Sequence, residues 1–159
     1  MSIDNLRQEL KEARERFVKS TWPDYFAADD EDWANNNGDL GLSESEWTPR
    51  RIAEHSTENE LFIVNLIATT LGHQTISKRF IDYESANEVP EGHYLVAKET
   101  NKIYDLITNE DLETMIKEVP KVTNSIAEYP PNFDGTIGGL IRVQISHLIE
   151  HAESLRSLK

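Results

Sequence analysis

The C-terminal segment, from Thr136 to Lys159, constrains the fold more than any other stretch of the sequence. Its apolar residues recur every three or four positions, and this spacing predicts one long amphipathic helix near residues 136–157. The apolar stripe consists of Ile141, Ile145, Leu148, Ala152 and Leu155. A helix of this kind buries its stripe against other elements, so the segment predicts a packed helical protein.

Two histidines lie at the edge of this stripe. His147 and His151 are four positions apart, so their side chains lie one above the other on the same helix face. That spacing lets a helix offer two imidazoles to one metal ion. The same pair is equally compatible with two surface histidines, because this short pattern is weak alone. A metal site therefore requires a third ligand from elsewhere in the chain.

Composition limits the classes of protein to which the chain can belong. The 159 residues suit one domain, 1–159, and the net charge of −13 disfavours binding to a nucleic-acid backbone. There is no cysteine, so disulfides, thiolate metal sites and cysteine nucleophiles are excluded. No apolar run approaches the length of about 18 residues that a membrane span requires. We therefore expect a cytoplasmic protein that binds neither nucleic acid nor membrane.

Hydrophobic spacing predicts three more helices before the C-terminal one, which gives an all-α four-helix bundle with long irregular connections. Their expected ranges are 3–21, 48–71 and 109–128. The second helix is the best defined, because Thr48 is a suitable N-cap, Pro49 is favoured at the first helical position and Gly72 is a typical helix stop. Thr108 or Asn109 is the expected cap of the third.

The connections between these helices have no clear period. Residues 23–45 contain an acidic run and three asparagines, and we interpret them as a long surface loop. Residues 83–108 are also irregular, and strand-forming residues around a polar turn allow a small hairpin there. His73 and His93 fall in irregular stretches, and we expect both to be ordinary surface residues.

The third candidate ligand is His55, in the predicted second helix. It shares a face with Ile52, Phe62 and Leu66. A lone histidine there is more often a packed core residue than a metal ligand. A four-helix bundle can nevertheless bring His55 together with the two histidines of the last helix. Three protein ligands with one open position is the arrangement of a catalytic metal site.

Two stretches resemble motifs of the DinB-like (DinB/YfiT) superfamily. Residues 47–55, Trp-Thr-Pro-Arg-Arg-Ile-Ala-Glu-His, are similar to the helix-two motif of that family, with a histidine eight positions after the tryptophan. Residues 147–156, which begin with His147 and end in leucine and arginine, resemble its final-helix motif. The resemblance covers these two motifs and the general layout of the chain from Ile3 onward.

The resemblance implies an up-down-down-up bundle and a divalent metal, nickel or zinc, held by His55, His147 and His151. It also implies a homodimer, and some members of the family are thiol S-transferases that use a low-molecular-weight thiol. The long segments 23–45 and 83–108 depart from the family layout, so the resemblance does not supply a substrate.

Two classes of function remain open. The first is a metal-dependent enzyme, a thiol S-transferase or a hydrolase, that acts on a small-molecule substrate. The second is a non-catalytic, stress-linked helical module for binding or dimerisation. For the enzyme, five residues are candidates for the pocket or for support of the metal ligands: Glu58, Asn59, Phe62, Gln144 and Glu150. Glu58 and Glu150 are also candidate acid–base groups, although an ordinary structural or surface role is the more common one for such residues.

Overall fold

The computed structural model describes residues 1–21, 33, 47–117 and 132–157. Those residues form four α-helices. They are α1 (Ile3–Lys19), α2 (Pro49–Leu71), α3 (Val89–Tyr104) and α4 (Ile137–Ser157). Short 3-10 helices at Ala86–Glu88 and Glu110–Glu113 precede α3 and follow it. The expectation of an all-α, four-helix protein is confirmed.

Helices α1 and α4 pack side by side and run in the same direction. Glu9, near the middle of α1, pairs with Arg142 in the early part of α4 at 3.5 Å. Arg16, near the end of α1, pairs with Glu153 late in α4 at 3.0 Å. Because early residues meet early residues and late meet late, the first and last helices are parallel.

The other two helices run in the opposite direction. Arg7 of α1 donates to the backbone oxygen of Tyr104 at the end of α3, whereas Phe17 packs on His93 near the start of α3. Helices α1 and α3 are therefore antiparallel. Helices α2 and α4 are also antiparallel, as the site below shows. The order is thus up-down-down-up, as the resemblance implied.

Local sequence signals fix the ends of α2 where they were expected. The Thr48 hydroxyl accepts a hydrogen bond from the backbone nitrogen of Arg51 at 3.3 Å, and Pro49 is the first helical residue. At the other end, Gly72 adopts the left-handed conformation with φ of 75°. Glycine closes a helix this way at little cost, because it has no Cβ to clash.

The third helix does not lie at the predicted residues 109–128. Residues 89–104 form α3, so the hairpin suggested within 83–108 is wrong. Ser85 and Glu88 form a reciprocal capping box just before α3, and Pro90 lies in its first turn. These start signals, together with burial of Val89, Val96 and other residues three or four apart, favour a helix over strands.

The predicted helix at 109–128 is also not observed over its described part. After the 3-10 helix Glu110–Glu113, Thr114 is extended and Met115 forms an isolated antiparallel bridge with Thr136. Ile116 there donates to the backbone oxygen of Gly135, and Ile137 donates to that of Thr114. Residues 118–128 lie outside the described part of the chain. So does the loop expected at 23–45, except Trp33, which is buried.

The core fills the space between the helices. Its largest fully buried side chains include Phe17, Leu61, Tyr104, Leu140 and Leu148. Trp33 joins this core, and its indole nitrogen donates to the backbone oxygen of Tyr83 at 2.9 Å. Among the described helices, none is both long and apolar enough to cross a membrane.

Candidate metal centre

Three histidines from two antiparallel helices meet in the interior of the bundle. His55 comes from the second turn of α2, His147 from the middle of α4 and His151 from its last third. All three are buried, and each offers a ring nitrogen within 4.8 Å of the others. The expected convergence of these three residues is therefore observed, and they lie close enough to bind one metal ion.

The rings are arranged edge to face. The centroid of the His55 ring lies 5.1 Å from that of His147 and 5.5 Å from that of His151, with interplanar angles of 85° and 82°. The Nε2 atoms of His147 and His151 are 2.7 Å apart, which is a hydrogen-bond distance. Two neutral imidazoles can share that contact only if one Nε2 carries the proton and the other accepts it.

Burial keeps His55 in its neutral form. Desolvation, and next the neighbouring histidines and Arg51, lower the pKa of His55 from 6.5 to about 2. Its Nε2 is buried and has no hydrogen-bond partner among the described residues. The ring of Trp47 packs edge-on against it, with centroids 4.9 Å apart. A neutral imidazole with an uncommitted nitrogen is the form that ligates a metal.

A pair of amides supports His147 from the side opposite His151. The Nδ2 of Asn59 lies 3.1 Å from Nδ1 of His147 and donates to Oε1 of Gln144 at 2.9 Å. Gln144 is fully buried. Ligating histidines usually bond through their second ring nitrogen to a group that fixes their orientation. Asn59, predicted near the site, occupies that position for His147, and Gln144, also predicted there, bonds to Asn59.

The three remaining candidates lie in other surroundings. Glu58 accepts from the backbone nitrogen of Ile81 at 3.1 Å, and burial raises the pKa of its carboxyl. Glu58 and Phe62 line a cavity of about 290 Å³, together with Lys78 and its neighbours. Glu150 is exposed on α4. The structure thus places Asn59 against His147, Gln144 against Asn59, and Glu58 and Phe62 along a cavity.

The donor set fits a divalent transition metal. Imidazole nitrogen is a good ligand for zinc and nickel, and three protein ligands are typical of sites that keep a position for another molecule. The orphaned Nε2 of His55 supports the same conclusion, because a buried polar atom without a partner is otherwise unfavourable.

Two features of the surroundings were not predicted from the sequence. Trp47 belongs to one of the two motifs, and its ring also contacts His55, while the guanidinium of Arg51 lies 5.1 Å from the Trp47 ring. His93 was expected at the surface but is 1% exposed, packed against Phe17. The helical period of residues 89–104 is the signal that places His93 inside.

Comparisons of the chain with protein-family models, with curated proteins and with solved structures found no match.

Proposed function

We propose that this protein is a metal-dependent enzyme of the DinB-like kind that acts on a small molecule. The observation that carries the proposal is the convergence of three buried histidine nitrogens within 4.8 Å of one another. The two sequence motifs that resemble the superfamily contain these histidines, and the up-down-down-up order of the helices supports the same assignment.

His55, His147 and His151 would hold the ion, and nickel or zinc is the expected metal. Such an ion would supply Lewis acidity, which lowers the pKa of a bound water or thiol to near neutral. Asn59 orients the His147 ring through its Nδ1. Trp47 covers one side of His55 with an apolar surface, and this surface keeps bulk water from that imidazole.

A thiol that takes part in the reaction would have to be a small molecule, because the chain contains no cysteine. The resemblance favours transfer of such a thiol to an electrophile over hydrolysis. Glu58 is a candidate proton acceptor, and burial raises the pKa of its carboxyl. The cavity that it lines with Phe62 is a candidate place for part of the substrate.

The decisive experiment compares His151→Ala with His73→Ala. His73 lies just beyond α2 and is not part of the histidine cluster, so it is a matched control. After reconstitution with zinc or nickel and removal of free ion, we expect one metal per chain in the wild type and in the control. We expect less than a tenth of that in His151→Ala, with unchanged helical circular dichroism. Equal metal content in both variants would overturn the assignment.

A second measurement separates an enzyme from a structural metal protein. The metal-loaded protein is mixed with a small thiol and 1-chloro-2,4-dinitrobenzene, and formation of the thioether is followed by absorbance. Acceleration by the wild type, absent in His151→Ala, supports thiol transfer. Stoichiometric metal without acceleration, for a panel of small thiols and ester substrates, favours the non-catalytic module instead.

A further inference from the structure

A second cavity lies on a different pair of helices from the histidine cluster. It has a volume of about 540 Å³ and opens between α1 and α3, whereas the histidines come from α2 and α4. This volume is within the range of pockets that hold small organic molecules. None of the three histidines lines it.

The charge of this cavity is opposite to that of the whole chain. The chain has 16 basic and 29 acidic residues, but the cavity is lined by Lys11, Lys19, Lys98 and Arg14 against one carboxylate, Glu15. Within the described residues, none of the three lysines forms an ion pair. Their positive charge is therefore available to a ligand.

The floor of the cavity is a fixed polar cluster. Arg14 is 8% exposed and pairs with the fully buried Glu60, and it donates to Thr100 at 3.0 Å and to Asn101 at 2.7 Å. These bonds hold Arg14 in place and neutralise most of its charge. The lysines at the rim consequently carry the net attraction for an anion, while Arg14 and its partners keep the floor rigid.

Two buried atoms beside this cluster remain unsatisfied. Oε2 of Glu60 and Nε2 of His93 have no hydrogen-bond partner among the described residues, and they are 3.7 Å apart. His93 itself lines the cavity. The 3.7 Å between the two unsatisfied atoms is too long for a hydrogen bond, and Glu60 does not line the cavity, so the polar group of a ligand is expected at the lysine rim.

The walls between floor and rim are largely apolar. Val18 of α1 faces Pro90, Tyr94 and Ala97 of α3 across the cavity. Tyr94 is 64% exposed, so a ligand that covers its ring would remove apolar surface from water. From the apolar walls and the unpaired lysines, we propose that this cavity binds a small molecule with an apolar body and one carboxylate.

Decanoate is a suitable probe, and isothermal titration calorimetry of the full chain is the measurement. We expect saturable binding of one decanoate per chain, weakened by added salt because exposed charges are screened. Decanol, which has the same apolar chain without the charge, should bind at least 10-fold more weakly. Decanoate that does not saturate, or binds no better than decanol, would overturn the proposal.

Charge reversal locates the site. The double variant Lys11→Glu/Lys98→Glu should raise the Kd for decanoate at least 10-fold. The control Lys102→Glu/Lys117→Glu makes the same change of net charge at exposed positions outside the cavity, and its Kd should change less than 3-fold. An equal effect of both variants would mean that the net charge, and not this cavity, governs binding.

His151→Ala makes the test independent of the metal centre. This variant should bind decanoate as the wild type does, because His151 does not line the cavity. Loss of decanoate binding in His151→Ala would assign the ligand to the histidine cluster and contradict the proposal.

Discussion

The side-chain amide of Asn59 lies 3.1 Å from Nδ1 of His147, on the side of the ring opposite the Nε2 that faces His151. If Nε2 of His147 ligates a metal, the ring proton must reside on Nδ1, which then needs an acceptor. Asn59 provides one when its amide is turned so that Oδ1 faces the ring. Gln144, whose buried Nε2 lacks a partner among the described residues, can then donate to the same oxygen.

The contact between Asn59 and His147 predicts different results for two substitutions of Asn59. Asn59→Leu removes the acceptor and should weaken metal binding about 10- to 100-fold. Asn59→Asp keeps an acceptor for Nδ1–H and should bind metal within a few-fold of the wild type. Affinity is measured by competition with a chromophoric chelator at pH 7.5. If Asn59→Leu binds as tightly as the wild type, the amide does not position His147.

Burial of His55 predicts a dependence of stability on pH in the metal-free protein. The pKa of His55 is lowered to about 2 by burial, so below about pH 6.5 the unfolded chain binds a proton that the folded chain does not. Stability that is present above pH 6.5 is therefore lost as the pH falls. The expected loss from this residue is about 1 kcal/mol between pH 6 and pH 5.

Urea unfolding at pH 5, 6 and 7 in the presence of a chelator measures that loss. The variant His55→Gln is the comparison, because it keeps a polar side chain that has no charge at any of these pH values. As the pH falls, its free energy of unfolding should decrease less steeply than that of the wild type. The difference in slope should correspond to about one fewer proton taken up on unfolding. Parallel curves would show that His55 is protonated to the same extent in both states.

Metal bound by His55, His147 and His151 should stabilise the fold. A ligand that binds only the folded state at 100 times its Kd adds about 2.7 kcal/mol. For a chain of this size, that corresponds to a rise in Tm of about 5–10 °C. Differential scanning fluorimetry with zinc or nickel measures the rise, EDTA should reverse it, and His151→Ala should show less than a quarter of it.

The buried pair of Arg14 and Glu60 should behave differently in single and double substitutions. Glu60→Leu leaves a buried guanidinium without its carboxylate, and this should cost about 3–5 kcal/mol of stability. The double variant Arg14→Met/Glu60→Leu removes both charges and should recover at least half of that loss. Urea unfolding measures the stability of both variants. Equal losses of stability would mean that the unpaired buried charge is not the cause of the destabilisation.

Gly72 offers a test of backbone conformation alone. Its φ is 75°, and a Cβ added there would meet no atom within 4 Å. Gly72→Ala should therefore cost about 1–2 kcal/mol through the left-handed conformation and not through a clash. Gly72→Asn should cost less, since asparagine tolerates this conformation better. Urea unfolding should find the wild type most stable, then Gly72→Asn, then Gly72→Ala. A larger loss of stability in Gly72→Asn than in Gly72→Ala would mean that the asparagine side chain is crowded.

The helices that carry the histidines were predictable from local sequence. Thr48, Pro49 and Gly72 specify the ends of α2 by capping and backbone conformation, which do not depend on distant residues. The spacing of His147 and His151 likewise fixes their common face. The convergence of His55 with them follows once α2 and α4 are antiparallel, so this part of the site was accessible from sequence.

The third helix was misplaced because two kinds of signal compete in residues 89–104. Tyr94, Val96 and Ile103 are of types frequent in strands, but the burial of Val96 and Ile103 in α3 follows the helical period that also includes His93. Packing of that period against the core decided the outcome, as tertiary context often overrides propensity. The Arg14–Glu60 pair joins α1 and α2 with no local sequence signal, so only the fold reveals it.

The antiparallel meeting of α2 and α4 also bears on the kinetics of folding. His147 and His151 are four positions apart, so one turn of helix suffices to present both imidazoles. Asn59 and His147 are 88 positions apart, and the α2 side of the site joins only after that long loop has closed. A metal ion therefore gains its third ligand late, and we expect it to slow unfolding more than it speeds folding.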